Sequence, residues 1–140
     1  MGKITVITGG TSGIGRGIAE KILAESAKED RIFVTYGHDE KKAAVFRDSL
    51  PEEKKSQVIL MKADMSSYDE MMAFVEELKK RADHIDWLVS NAGISTYAKY
   101  EDYSFEEWTR IVNTNLSVPV FMVKELRPMM VEGGKIGRAH

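Results

Sequence analysis

The sequence contains no cysteine among its 140 residues. Disulfides, cysteine metal sites and thiol catalysis are thereby excluded, and a reducing compartment suits the chain. It also lacks a predominant charge: 20 Lys and Arg stand against 22 Asp and Glu, a formal net charge of -2. That balance offers nothing to attract a nucleic-acid backbone, so no nucleic-acid partner is expected. Long apolar runs are missing too, none approaching the roughly 18 residues of a membrane helix. The opening MGKITVITGG puts no positive region ahead of a hydrophobic segment of signal-peptide length. The expectation is a cytoplasmic chain with no membrane partner and no metal site. What is present, 43% apolar and 30% charged residues, is the composition of one globular domain with its own core.

Short apolar, β-branched runs alternate with amphipathic segments. KITVIT (3–8), RIFVTY (31–36), QVILMKAD (57–64) and DWLVSNAG (86–93) are too short for stable helices and read as buried strands. Helices are expected over 13–28, with Ile14, Ile18 and Ile22 on one stripe; over 40–49, stopped by Pro51; and over 67–82. In the last, Tyr68, Met71, Met72, Val75 and Leu78 follow the spacing of one buried face. A long helical stretch, 104–131, opens with Ser104 and Glu107 at capping-box spacing and is divided by Pro119 and Pro128. Trp108, Ile111 and Val112 are expected to face the core. Strict alternation of strand and helix implies right-handed βαβ units and a parallel sheet covered on both faces. The fold class is therefore α/β, a doubly wound parallel sheet of Rossmann type. About four strands are expected, with a fifth begun at Gly134, Lys135 and Ile136.

TGGTSGIGRG (8–17) follows the first strand directly and opens the first helix. Glycines let the backbone turn sharply and let a ligand approach it, while a helix N-terminus offers free N–H groups and a positive dipole end to a phosphate. No Lys-Ser or Lys-Thr follows, so this is not a P-loop. The spacing Thr8-Gly9-x-x-x-Gly13-x-Gly15 resembles the signature Thr-Gly-x-x-x-Gly-x-Gly of the short-chain dehydrogenase/reductase family. The resemblance continues. Asp64 in KADMSS sits where the family's Asp approaches the adenine, SNAG (90–93) is similar to its Asn-Asn-Ala-Gly motif, and NTNLSVPVFMVKELRPMM is similar to its central helix. It extends over residues 3–136. It implies cofactor contacts from Gly9, Thr11, Ser12, Gly13, Ile14, Gly15, Tyr36, His38, Asp64, Met65, Asn91, Ala92 and Gly93. Plainer roles stand beside these: Asp64 can cap the loop before the third helix, Asn91 can hold neighbouring loop backbone, and a loop histidine such as His38 can be merely solvated.

An acidic residue ending the second strand would bond the adenosine ribose and repel a 2′-phosphate, marking NAD. Tyr36 aligns there and carries no such charge, so NADP is preferred over NAD, with His38 able to donate to the phosphate and Asp39 and Glu40 opposing it. The resemblance makes Asn115 the catalytic Asn. Pro119, four residues on, has no N–H, so the Asn115 carbonyl loses its helical partner and a local kink is expected. The freed carbonyl needs another partner, usually water, which suits the family's proton relay.

The family moves hydride between a nicotinamide and a ketone or alcohol carbon, using a Ser, a Tyr and a Lys. Its pattern is a Ser followed about a dozen residues later by Tyr-x-x-x-Lys. Neither YDEMM (68–72) nor YAKYE (97–101) has that spacing. Residues 1–136 are therefore read as an incomplete dinucleotide-binding domain and 137–140 as a tail outside the family pattern. The parent is expected to reduce a ketone, with a 3-oxoacyl thioester one candidate because VTYGHDEKKA resembles the NADPH-binding turn of family members with that substrate. This chain alone is expected to be inactive. The alternative is a natural non-catalytic nucleotide-binding or interaction module. Beyond a small carbonyl or alcohol substrate, the expected partner is a second copy of the chain, since an uncovered strand edge and apolar helix face seek cover.

Overall fold

Apolar side chains on the two faces of the central strands form two separate cores. The structure, a computed structural model, describes residues 2–139. Five strands, β1 (Ile4–Ile7), β2 (Arg31–Tyr36), β3 (Val58–Lys62), β4 (Ile85–Ser90) and β5 (Met130–Arg138), form one sheet in the order β3-β2-β1-β4-β5. All neighbours pair in parallel. Val6 lies level with Phe33 on one side and Leu88 on the other. Because successive side chains point to opposite faces, these three enter one core, while Ile7, Ile32 and Val34 enter the other. Helices cover both faces, as the doubly wound expectation requires.

One face is covered by α1 (Gly13–Glu25) and α2 (Glu40–Ser49), the other by α3 (Tyr68–Arg81) and α5 (Val118–Leu126). Lys54 donates from Nζ to the Leu23 carbonyl at 2.7 Å, satisfying an orphan group at the end of α1. That helix buries Gly15, Ala19 and Leu23, not the expected Ile14, Ile18 and Ile22. Small residues on the inner stripe bring α1 close to the sheet, which turns Ile14 outward and leaves Ile18 and Ile22 at the margin of the core. Asp39 caps α2, and Ser67 caps α3 by accepting from the Glu70 N–H at 3.1 Å. Met71, Phe74, Val75 and Leu78 fill the inner face of α3. Tyr68, expected among them, is exposed in the first turn, where it meets Phe121 edge-on with ring centroids 6.0 Å apart.

The long stretch resolves into α4 (Phe105–Val112), a π turn over Asn113–Ser117, α5, and a 3-10 turn over Arg127–Met129. Ser104 caps α4 through the Glu107 N–H. Trp108, expected in the core, is 57% exposed, and Ile111 and Val112 are only half-buried. It is α5 that packs on α3, and α4 has no fully buried residue.

The fifth strand extends further than its first residues suggest. Met130 pairs with Ile85, and Lys135 to Arg138 pair with Trp87 to Ser90. The expectation of four strands and a beginning is thus corrected to five, because ladder pairing uses the backbone and does not require the apolar side chains that Gly137 and Arg138 lack. His140, of the expected tail, lies outside the described residues. Among the described residues no helix is long and apolar enough to cross a membrane.

Candidate functional site

Thr8 closes the switch point where the chain order reverses, between β1 and β4. Its hydroxyl accepts from the N–H groups of Asn91 (3.1 Å) and Ala92 (3.0 Å), and its own N–H donates to the Val89 carbonyl at 3.0 Å. Gly9 follows at φ 65°, and a Cβ there would stand 3.0 Å from the Ala92 Cα. The Asn91 side chain donates from Nδ2 to the Gly9 carbonyl at 2.9 Å. Gly15 lies against this contact: a Cβ on it would sit 2.3 Å from Asn91 Nδ2 and 2.6 Å from the Gly9 carbonyl oxygen. The N-terminus of α1 is thereby drawn against the end of β4.

The turn sorts its donors. The Gly9 N–H donates to Thr35 Oγ1 and the Gly10 N–H to the Thr35 carbonyl, both at 3.1 Å. Among the described residues, the backbone N–H groups of residues 11–15 have no protein acceptor. Gly13, at φ 57°, has open space where a side chain would project.

A cavity of about 870 Å³ lies beside this turn. Gly9, Ser12, Ile14, His38, Asp64, Met65, Asn91, Ala92, Gly93 and Asn115 line it. The structure thus gathers at one site residues spread over a hundred positions of sequence. Thr11, Gly13, Gly15 and Tyr36, also candidates from the sequence, are outside its lining. Thr11 is buried, Gly15 is packed under Asn91, and half-buried Tyr36 accepts from the Ala63 N–H at 2.9 Å through its carbonyl. Arg16 points away from the turn, pairing with Glu20 at 2.7 Å and donating to Ser49. Asp39, weighed in the sequence against a 2′-phosphate, is in the lining; not named there were Thr35, Gly37, Ile94, Arg110, Thr114 and Arg138. Gly37 follows Tyr36 directly, so its place after the strand could have found it; Arg110 and Thr114 arrive only through the packing of the α4–α5 stretch.

At one end of the cavity His38 Nε2 lies 2.8 Å from Asp64 Oδ2. Asp64 Oδ1 accepts from the N–H (2.9 Å) and hydroxyl (2.7 Å) of Ser66, so the same carboxylate caps its loop and faces the cavity. Partial burial works to raise the Asp64 carboxyl, but the Ser66 bonds and His38 outweigh it and hold it below its usual value. Asp39 is engaged in capping α2 through the Lys42 N–H at 2.9 Å, and Glu40 is paired with Lys62 at 2.9 Å.

At the other end Asn115 grips the loop after β4. Its Oδ1 accepts from the Ile94 N–H at 2.9 Å and its Nδ2 donates to the Ile94 carbonyl at 2.7 Å. Pro119 acts as expected on the helix, which passes through a π turn with the Val118 N–H bonded to the Asn113 carbonyl. The freed Asn115 carbonyl accepts from the Arg138 guanidinium at 2.6 Å, so it has a protein donor. Among the described residues no group of acids and histidines is arranged to hold a metal.

This geometry can seat an elongated, anionic nucleotide, with unpaired N–H groups at the centre and polar ends on either side. Comparison with known proteins gives the same direction. The family model for short chain dehydrogenases matches residues 3–138. The hydroxynaphthalene reductase-like protein Arp2 of Metarhizium brunneum is 28% identical over 96% of this chain and 49% of its own length. A 3beta-hydroxysteroid dehydrogenase of Mediterraneibacter gnavus is 32% identical over 96% of this chain and 48% of its own. The chain spans about half the length of these curated relatives. Among solved structures, a blue fluorescent protein from a metagenomic library, in complex with NADPH, superimposes with a TM-score of 0.84 at 25% identity, covering 98% of this chain and 55% of that one.

Proposed function

Since the chain belongs to the short chain dehydrogenase family, we propose that it is the dinucleotide-binding part of a nicotinamide-dependent oxidoreductase working between a ketone and an alcohol. One observation carries this reading: the N–H groups of residues 11–15 have no protein acceptor, and Ser12 and Ile14 of that run line a cavity of about 870 Å³. An anion there meets several donors and the positive end of the α1 dipole. The pyrophosphate is assigned to the turn, with Thr11, Ser12, Gly13 and Ile14 as donors and Gly9 and Gly15 setting its shape. Asp64 and Met65 are assigned to the adenine, Tyr36 and His38 to the adenosine ribose region, and Asn91, Ala92 and Gly93 to the path toward the nicotinamide.

NADP is preferred over NAD. Of the two acids that would repel a 2′-phosphate, Glu40 is neutralised by Lys62 and Asp39 caps α2 at the cavity's edge, while the exposed His38 ring, whose Nε2 rests on Asp64, stands at the cavity with its other nitrogen a donor in the protonated ring. When bound, the nicotinamide supplies or accepts the hydride. Asn115 holds the Ile94 loop in place and belongs to the catalytic set of the whole enzyme. The substrate class is a carbonyl or alcohol, a description that covers the 3-oxoacyl thioester of the sequence expectation and the compounds in the relatives' names alike. A cytoplasmic, homo-oligomeric protein is part of the same proposal.

Titration calorimetry with NADPH and NADH tests it. Binding of NADPH, preferred over NADH and losing that preference in His38→Ala, is expected; no binding of either overturns the reading in favour of a non-catalytic interaction module. The 140 residues contain no Tyr-x-x-x-Lys, so the chain alone should not turn over carbonyl substrates with NADPH, and sustained turnover after clean purification would refute that part.

A further inference from the structure

We propose that Thr35 is a positioning residue of the cofactor cradle, fixing which N–H groups of the glycine-rich turn face the ligand. The proposal rests on the cofactor reading above. Thr35 occupies the penultimate position of β2, is 1% exposed, and borders the cavity. It takes two consecutive donors from the turn, the Gly9 N–H on its hydroxyl oxygen and the Gly10 N–H on its carbonyl. The donors that follow, residues 11–15, are then the ones left without a protein acceptor, and Ser12 and Ile14 among them line the cavity.

Gly9 is held from two sides. Its N–H is gripped by Thr35 of β2, and its carbonyl by the Asn91 side chain beyond β4. Between these jaws the residue adopts φ 65°, which sends the chain toward the helix. The β1–β2 register reaches only as far as Ile7 opposite Val34. Past it, the β2 backbone supplies one acceptor, which Gly10 occupies, so Gly9 depends on a side-chain oxygen at position 35. Packing alone does not call for that oxygen: valine has nearly the same shape and an equal liking for a buried strand, and differs in the hydroxyl. With valine the Gly9 N–H loses its partner, and a donor left without one in a buried corner turns toward any polar group within reach. The turn would then no longer present residues 11–15 in a single arrangement.

The test compares wild type, Thr35→Val and Thr35→Ser by titrating the 140-residue chain with NADPH, ADP and adenosine. Thr35→Val should weaken NADPH and ADP about tenfold, equivalent to about 1.4 kcal/mol, and leave adenosine, which has no phosphate, within about twofold. Thr35→Ser, which keeps the oxygen, should bring NADPH and ADP back to within about threefold of wild type. A merely structural hydroxyl would lower the melting temperature and weaken all three ligands alike, or none, and either result overturns the assignment. If the valine variant does not fold, Thr35→Cys, a weaker acceptor of similar size, takes its place with the same split expected at smaller amplitude. A wild-type chain that binds none of the ligands removes the cofactor reading and the Thr35 assignment with it. Wild-type binding unchanged in Thr35→Val removes the assignment alone.

Discussion

Substituting Gly15 by alanine should destabilise the chain although alanine favours a helix. A Cβ would lie 2.3 Å from Asn91 Nδ2 and 2.6 Å from the Gly9 carbonyl oxygen, the two atoms joined by the 2.9 Å hydrogen bond that closes the turn. Neither neighbour can yield freely, since one is backbone and the other is committed to it. Relieving the overlap costs about 1–3 kcal/mol. Displacing the hydrogen bond adds about 1 kcal/mol, and the helical preference of alanine returns about 0.5–1 kcal/mol. The net loss is about 1–3.5 kcal/mol, which for a chain of this size lowers the melting temperature by about 3–12 °C. Gly17 supplies the control: it lies in the same helix with nothing within 4 Å of an added Cβ. Gly17→Ala should raise the melting temperature slightly, by the helical preference alone. Calorimetric melting of both variants against wild type decides the matter. Equal and mild effects at the two positions would show that the close approach of α1 to Asn91 is not what requires glycine at position 15.

Asn115→Ala removes both bonds to Ile94 and should cost about 1–3 kcal/mol, with faster amide exchange at Ile94; unchanged exchange there would contradict the clamp. His84 should make stability depend on pH. Its Nδ1 lies 2.6 Å from Asp83 Oδ1, and its Nε2 3.0 Å from the Gly2 carbonyl and 3.1 Å from Asp86 Oδ2. The bond to Asp83, aided by Gly2 and Asp86, raises the imidazole above its ordinary value against the burial that would lower it. A raised folded pKa gives stability that is fully present below the unfolded value of about 6.5 and lost as pH climbs through the folded one. The melting-temperature gap between wild type and His84→Gln should therefore narrow as pH rises through that window, and a constant gap would refute it. Finally, Phe105, Trp108, Leu116, Val120 and Phe121 are exposed from α4 through the π turn to α5, so light scattering should find a dimer or larger species that Val120→Glu weakens; a monomeric wild type would contradict this.

The strands were legible because a buried parallel strand is a short apolar run between turn residues, and Ile4–Ile7 and Arg31–Tyr36 are such runs. The glycine-rich turn was legible because its residue types, their spacing and their place between strand and helix all follow from local backbone demands. Helix faces were less so. In α1 the periodicity of Ile14, Ile18 and Ile22 competes with that of Gly15, Ala19 and Leu23. Period alone cannot choose between adjacent stripes when close approach to a sheet rewards the smaller side chains. Trp108 misled in a similar way, since amphipathic spacing marks an apolar face but not whether a layer exists to cover it.

By itself, then, the sequence determined the α/β class, the position of the glycine-rich turn, and the effect of Pro119 on the Asn115 carbonyl, each a consequence of short-range backbone chemistry. Tertiary structure decided which residues meet. Only the order β3-β2-β1-β4-β5 puts Thr35 beside Gly9, Asn91 beside Gly15 and His38 beside Asp64. Those contacts join positions 26 to 76 residues apart. Side-chain pairing over such separations is set by strand register and layer packing, which no local pattern encodes.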